Sequence, residues 1–321
     1  MVLDELGGNI INSIQKLFEK AVSNKKAATP AFTIQDGCNV LKGENSIVSV
    51  AACADLHVLE ACVAAAEKGL AGFILVGDAT KTRSIAGEAG FDISGFEIVD
   101  EPDDLQACKK AVALVANGTA SALMKGLIDT SVIMRAALDR ETGIRTGRKL
   151  SHIAAFELPS YHKLLFLTDA AINIAPILED KVQIIQNAVE ALNSMGIAAP
   201  KTALLAAKEK VDEKMPVTLE WAEIVKMRLP NSIIDGPLAL DNAVSKEACE
   251  IKGINSPVGG DADLLVAPDI EAGNVLYKAL VFLANARCGG VVLGAKRPII
   301  LTSRADSAES KLIAIALSVL F

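Results

Sequence analysis

From Ile47 onward the chain repeats one pattern: a short apolar run, a turn, then a helix-length segment with apolar residues at helical spacing. Ile47–Ala52, Phe73–Val76, Phe96–Val99 and Ser121–Met124 read as strands, with helices predicted at Leu56–Lys68, Thr80–Ala89 and Leu105–Ala116 between them. Strands that are apolar along their whole length are buried on both faces. Their alternation with helices predicts right-handed crossovers and a parallel sheet. Composition agrees, since 51% of residues are hydrophobic but only 4% aromatic. The core is therefore built from Ala, Val, Ile and Leu. A length of 321 residues allows one large or two ordinary domains.

The organisation changes near residue 150. Ser151–Phe156 and Lys163–Thr168 flank a turn at Pro159-Ser160 and predict an antiparallel hairpin. A long helix over Asp180–Met195 follows, then three strand–helix units: Thr202–Ala206 with Leu219–Arg228, Ser232–Ile234 with Leu240–Ile251, and Asp263–Ala267 with Asn274–Ala286. Val291–Leu293, Pro298–Leu301 and a final helix close the chain. The expected fold class is thus α/β, two domains with mostly parallel sheets. Residues 46–149 and 295–321 form a discontinuous first domain, and 150–294 an inserted second. Within 1–45, residues 3–22 predict a helix with Ile10, Ile14, Leu17 and Ala21 on one face. The remainder of that N-terminal extension carries no assignable pattern.

A net charge of −7 argues against a nucleic-acid surface spread over the whole protein. The six cysteines show no C-x-x-C spacing and are expected to be buried thiols. With three scattered histidines, no metal site is expected. No signal peptide is evident after Met1, and no apolar run reaches the ~18 residues that span a bilayer. These features predict a soluble cytoplasmic protein with no membrane or nucleic-acid partner.

Two stretches carry chemistry. The first is Leu301-Thr302-Ser303-Arg304-Ala305-Asp306-Ser307-Ala308-Glu309, where a strand gives way to a helix N-terminus. Unpaired N–H groups and the helix dipole favour anions there. Helix capping by Thr302 or Ser303 with Asp306 accounts for the same residues. The second begins at Lys125-Gly126-Leu127-Ile128-Asp129-Thr130. Six basic residues, Arg135 among them, stand against three acids between 125 and 149. Such a run makes either a solvated helix face or an anion site. Further polar residues mark strand ends at Thr168-Asp169, Asp235-Gly236-Pro237, Pro268-Asp269 and Glu271-Ala272-Gly273-Asn274. His152, in an apolar strand, reads as a structural histidine bonded to a backbone carbonyl.

These blocks resemble the phosphate acetyl/butyryltransferase family, and its butyryl branch most closely. The resemblance rests on Met124-Lys125-Gly126-Leu127, Gly143-Ile144-Arg145-Thr146-Gly147 through Ser151-His152, and Leu167-Thr168-Asp169. It continues in Asp235-Gly236-Pro237-Leu238-Ala239-Leu240-Asp241, Glu271 through Lys278, and Thr302-Ser303-Arg304-Ala305-Asp306-Ser307. It implies a fold like that of the isocitrate and isopropylmalate dehydrogenases, two α/β domains with mostly parallel sheets flanking a cleft. It also implies reversible transfer of a short-chain acyl group, butyryl or similar, between coenzyme A and inorganic phosphate in a ternary complex. No permanently bound cofactor is implied; coenzyme A is a substrate. Ser303, Arg304, Asp306 and Glu309 are the implied catalytic set. Lys125, Gly126, Thr130, Arg135, Asp169, Asp235, Asn274, Tyr277 and Lys278 are the implied phosphate- and CoA-binding set. Lys125 contacts phosphate or pairs with a neighbouring acid, and both readings stand.

Two positions depart from the acetyl-specific relatives, which have aspartate where this chain has Ser310 and cysteine where it has Ala170. Asp306 and Glu309 therefore remain alternative bases. A homo-oligomer, dimer or higher, is expected. Two other functions compete: a catalytically degenerate CoA-binding paralogue, and a hydroxyacid dehydrogenase on the same fold. The second lacks a G-x-G-x-x-G after its first strand.

Overall fold

The computed structural model describes residues 11–24, 31–35, 38–42, 46–302 and 306–321. By contact density the chain divides into two compact units. One takes Lys149–Cys288 with the described residues up to Lys16; the other takes Leu17–Arg148 and Gly289–Phe321.

The chain enters through helix α1 (Ile14–Ser23), which buries Ile14, Leu17 and Ala21 on one face; Ile10 lies outside the described residues. The segment without an assignable sequence pattern holds an antiparallel pair, β1 (Ala31–Gln35) and β2 (Cys38–Lys42). The predicted alternation follows: β3 (Ile47–Ala51), α2 (Leu56–Glu67), β4 (Gly72–Gly77), α3 (Ala79–Ala89), β5 (Glu97–Asp100), α4 (Asp104–Ala116), β6 (Ala122–Lys125) and α5 (Thr130–Ala137). Aspartates start three of these helices. Asp55, Asp78 and Asp103 accept hydrogen bonds from the N–H groups of Val58, Lys81 and Gln106, which satisfies donors that the helix itself leaves open.

Beyond it come β7 (Ser151–Glu157) and β8 (Leu165–Thr168), antiparallel as expected. Then follow α6 (Leu178–Ser194), β9 (Lys201–Leu205), α7 (Pro216–Met227) and β10 (Ile233–Leu238). The single helix expected over Leu240–Ile251 is two: α8 (Leu240–Val244) and α9 (Lys246–Lys252). Ser245 breaks it by adopting extended backbone, and its hydroxyl caps α9 at Ala248 N. The chain continues with β11 (Leu264–Val266), α10 (Ile270–Phe282), β12 (Arg287–Leu293), β13 (Ile299–Ile300) and α11 (Ala308–Leu320). Asp235-Gly236-Pro237 lies within β10 rather than beyond its end, and Glu271 through Lys278 lie on α10.

Within the second-mentioned unit the strand order is β13-β6-β3-β4-β5, all parallel, with β12 antiparallel beside β13. Strand order reverses at β3: the chain moves outward to β4 and β5, then returns to place β6 on the other side. Helices α2, α3 and α11 pack side by side, as do α4 and α5. Within the other unit the order is β10-β9-β11-β8-β7, parallel except for β7. Cys53, Cys62, Cys108, Cys249 and Cys288 are free and buried. Burial, reinforced by Asp104, pushes the Cys108 thiol up to about 11.

An ion cluster ties the starts of three parallel strands together. Asp261 accepts from His162 at 2.8 Å and Lys201 at 2.6 Å, and pairs with Lys163 at 3.0 Å. Lys163 also bonds Asp263 at 2.6 Å, just before β11. Partial burial works to raise the Asp261 carboxyl, but the bonds from Lys201, Lys163 and His162 outweigh it and hold the group well below the usual carboxylate range. A depressed folded-state pKa stabilises the protein above the unfolded value near 3.9, and that stability is lost as pH falls. Asp261→Asn is therefore expected to lower stability by about 1 kcal/mol at pH 7. The difference from wild type should begin to shrink as pH falls below about 4 and close only below the depressed folded-state value, as measured by denaturant unfolding at each pH.

Candidate active site

The exits of β3 and β6 flank the point where strand order reverses, which is where open α/β sheets bind ligands. The backbone closes tightly there. Gly126 N donates to Ala51 O at 2.8 Å and Leu127 N to Ala52 O at 2.9 Å, continuing the β6–β3 ladder past the last strand residue. A Cβ on Gly126 would lie 2.2 Å from Ala52 O and 2.5 Å from Ala51 O, so only glycine allows this approach. The closure turns Lys125 inward. Its side chain is 7% exposed, and Nζ donates to Gly126 O and Ile128 O at 3.3 and 3.2 Å.

A cavity of about 250 Å³ opens at this point. It is lined by Asp55, His57 and Val58 from the start of α2, Lys125, Gly126 and Leu127 from the end of β6, and Thr302 and Lys311 from the two sides of the β13–α11 connection. The two stretches that the sequence marks as chemical therefore meet in one place. Lys125 and Lys311 are both more than nine-tenths buried. The cavity can accept an anion, with two ammonium groups, the Thr302 hydroxyl and the start of α2 around it.

Ser303 and Arg304 lie outside the described residues. The residues on either side are placed. Thr302 is 8% exposed. Asp306 accepts from Lys311 Nζ through its carbonyl, and Glu309 is exposed in the first turn of α11. The expected cap at Thr302 or Ser303 with Asp306 is corrected: Ser307 caps α11, accepting from Ser310 N at 3.1 Å. Ser310, which stands where acetyl-type sequences have aspartate, holds its hydroxyl 3.0 Å from that of Ser307.

Thr130 and Arg135 sit on α5, both exposed, and do not line the cavity. The basic loop after α5 is tied down by Ile144 N to Ala137 O, Lys296 N to Ile144 O and Thr146 Oγ1 to Gly294 O. Its arginines 140, 145 and 148 are exposed.

The remaining expected residues belong to the other unit and are described within it. Asp169, 4% exposed, accepts from the N–H groups of Ala171, Ile172 and Asn173 and from Asn173 Nδ2. Its carboxylate thus organises its own turn. Asn274 Nδ2 donates to Ala170 O at 3.1 Å, fixing α10 against that turn. Gly273 permits the approach, since a Cβ there would lie 2.4 Å from Asp169 O. Tyr277 packs edge-on against Phe156 at 5.3 Å, with its ring 6.1 Å from that of His152. Asp235 accepts from its neighbour Gly236 N, and Lys278 is exposed.

Sequence reading did not single out Lys311 for this site. The available signal was one lysine in the first turn of a helix that continues Leu312-Ile313-Ala314-Ile315-Ala316-Leu317. Among the described residues no group of three or more His, Cys, Asp or Glu side chains could hold a metal ion. No described helix is long and apolar enough to cross a membrane.

Fold and cavity together define an α/β protein with a lysine-lined cavity at a strand-exit switch point. Known proteins narrow the class. The family model described as Phosphate acetyl/butaryl transferase matches residues 104–319. The phosphate butyryltransferase of Clostridium acetobutylicum is 45% identical over 277 residues, covering 85% of this chain and 92% of the relative. The phosphate acetyltransferase of Rhizobium meliloti is 42% identical over 308 residues, covering 95% and 93%. Among solved structures, a branched-chain phosphotransacylase from Enterococcus faecalis V583 superimposes with a TM-score of 0.78 at 35% identity, covering 86% of this chain and 98% of that one. The chain belongs to the phosphate acetyl/butyryl transferase family and is a phosphate acyltransferase.

Proposed function

We propose that this enzyme transfers a short-chain acyl group, butyryl or a similar chain, between coenzyme A and inorganic phosphate. The observation that carries this reading is the cavity in which Lys125 and Gly126 from the β6 exit meet Thr302 from the β13 exit. Thr302 directly precedes the Ser303-Arg304 pair. In the forward direction a phosphate oxygen attacks the thioester carbonyl carbon, a C–O bond forms and the C–S bond breaks. The proton of hydrogen phosphate ends on the departing thiolate. The products are acyl phosphate and CoA thiol, with no acyl-enzyme formed.

Each residue in the proposal answers a physical need. Phosphate must be oriented without losing its nucleophilicity, and a cation-lined cavity does this. Arg304 offers a planar fork for two parallel N–H···O bonds to phosphate or to the thioester oxygen. Ser303 donates to the developing oxyanion. In the reverse direction a carboxylate takes the CoA thiol proton, with Asp306 and Glu309 as the candidates. Arg135, exposed on α5, and Lys278, exposed on α10, are assigned to the binding of phosphate or CoA. Asp169, Asn274 and Tyr277 are assigned to building the turn beside α10. The architecture is read as a variant of the isocitrate/isopropylmalate dehydrogenase-like fold, and the active form as a homo-oligomer.

The test is thiol release from butyryl-CoA, followed with a chromogenic disulfide reagent with and without phosphate. Release that requires phosphate is expected. Release at the same rate without phosphate would make the protein a thioesterase and overturn the reading.

A further inference from the structure

Lys311 occupies a position that folding alone disfavours. It lies in the first turn of α11, a 13-residue helix, where the helix dipole repels a cation. Its side chain is 3% exposed, and residues 312–318 that follow are all buried. The hydrogen bond it makes goes to a neutral acceptor, the Asp306 carbonyl. Among the described residues no carboxylate forms an ion pair with it. A buried ammonium without a counter-charge is costly, and a methionine of the same length would pack at least as well. Lys311 nevertheless lines the same cavity as Lys125, which is also nine-tenths buried, and as Thr302. Among the described residues the one carboxylate on the cavity wall is Asp55, an oxygen of which caps α2 at Val58 N, at 3.0 Å. Set against Asp55, the two buried cations leave the described cavity wall net positive, which favours an anion.

We propose that Lys311 is a phosphate-binding residue, the second cation by which this cavity holds inorganic phosphate. This rests on the reading of the cavity as the site of the attacking phosphate. It adds a residue that the Ser303-Arg304 motif does not contain, and it gives the lysine at that place in α11 a chemical purpose. Its hydrogen bond to Asp306 O ties the ammonium to the segment that leads into α11.

The experiment compares wild type, Lys311→Met and Lys311→Arg, with KM measured separately for phosphate and for butyryl-CoA. Lys311→Met is expected to raise the phosphate KM at least about tenfold, the size of one lost charge-assisted bond. Its KM for butyryl-CoA should stay within about twofold, and Lys311→Arg should restore most of the phosphate affinity. Inorganic phosphate should raise the Tm of wild type over a potassium chloride control of matched ionic strength, and should not do so for Lys311→Met. An unchanged phosphate KM in folded Lys311→Met would overturn the proposal, as would an equal rise in both KM values. Lys311→Gln is the second neutral variant. If neither neutral variant folds while Lys311→Arg does, the charge serves stability and the proposal falls. Wild type without phosphate-dependent thiol release would instead remove the acyltransferase reading itself.

Discussion

Gly126→Ala is expected to cost about 2–4 kcal/mol of stability and to lower phosphate-dependent turnover about a hundredfold. The added Cβ would sit 2.2 Å from Ala52 O, 2.5 Å from Ala51 O and 2.7 Å from Ala52 C. All three are backbone atoms of the β3 exit, so no flexible side chain can swing aside. To relieve the overlap, β6 must part from β3 where Gly126 N and Leu127 N donate to Ala51 O and Ala52 O. That movement carries Lys125 with it and widens the cavity floor. Denaturant unfolding and steady-state turnover would be measured on the same preparation. Near-wild-type stability and rate would mean that the closure at the strand exits is not what shapes the site.

Arg304→Ala is expected to reduce phosphate-dependent thiol release by about 10²–10³-fold or more, the usual cost of losing one preorganised donor to a developing charge. Lys in its place should recover little, because a single ammonium cannot reproduce the two parallel bonds of a guanidinium. The expected signature is a large fall in kcat/KM with unchanged far-ultraviolet circular dichroism and Tm. Turnover within a few-fold of wild type in Arg304→Ala would refute the assignment of this motif to catalysis. A fall in activity accompanied by loss of folded structure would point to a structural arginine.

Much of the fold was legible because buried parallel strands announce themselves as uninterrupted apolar runs, as in Phe73 to Val76 of β4 or Leu264 to Val266 of β11. The break at Ser245 was not legible, because a serine between two polar helical turns reads as a surface residue until its hydroxyl is seen capping α9. The cap of α11 was misplaced for a related reason: Thr302, Ser303 and Ser307 all precede a helix, and composition does not rank them.

The site was legible in part. Lys125-Gly126 and Thr302 were marked by their place at strand exits, and the cavity joins them. Asp169 and Asn274 show where sequence marks are less specific, since their side chains hold a turn and a helix together. Lys311 was hidden because its meaning depends on burial and on which wall of the cavity it faces, neither of which is written in local pattern.

The most direct measurement of the central claim is the product itself. Purified protein would be supplied with butyryl-CoA and inorganic phosphate, and ³¹P resonance recorded while free thiol is counted. The account predicts an acyl phosphate signal growing in equal measure with CoA thiol. Thiol release with no acyl phosphate formed, the phosphorus remaining entirely inorganic, would contradict it.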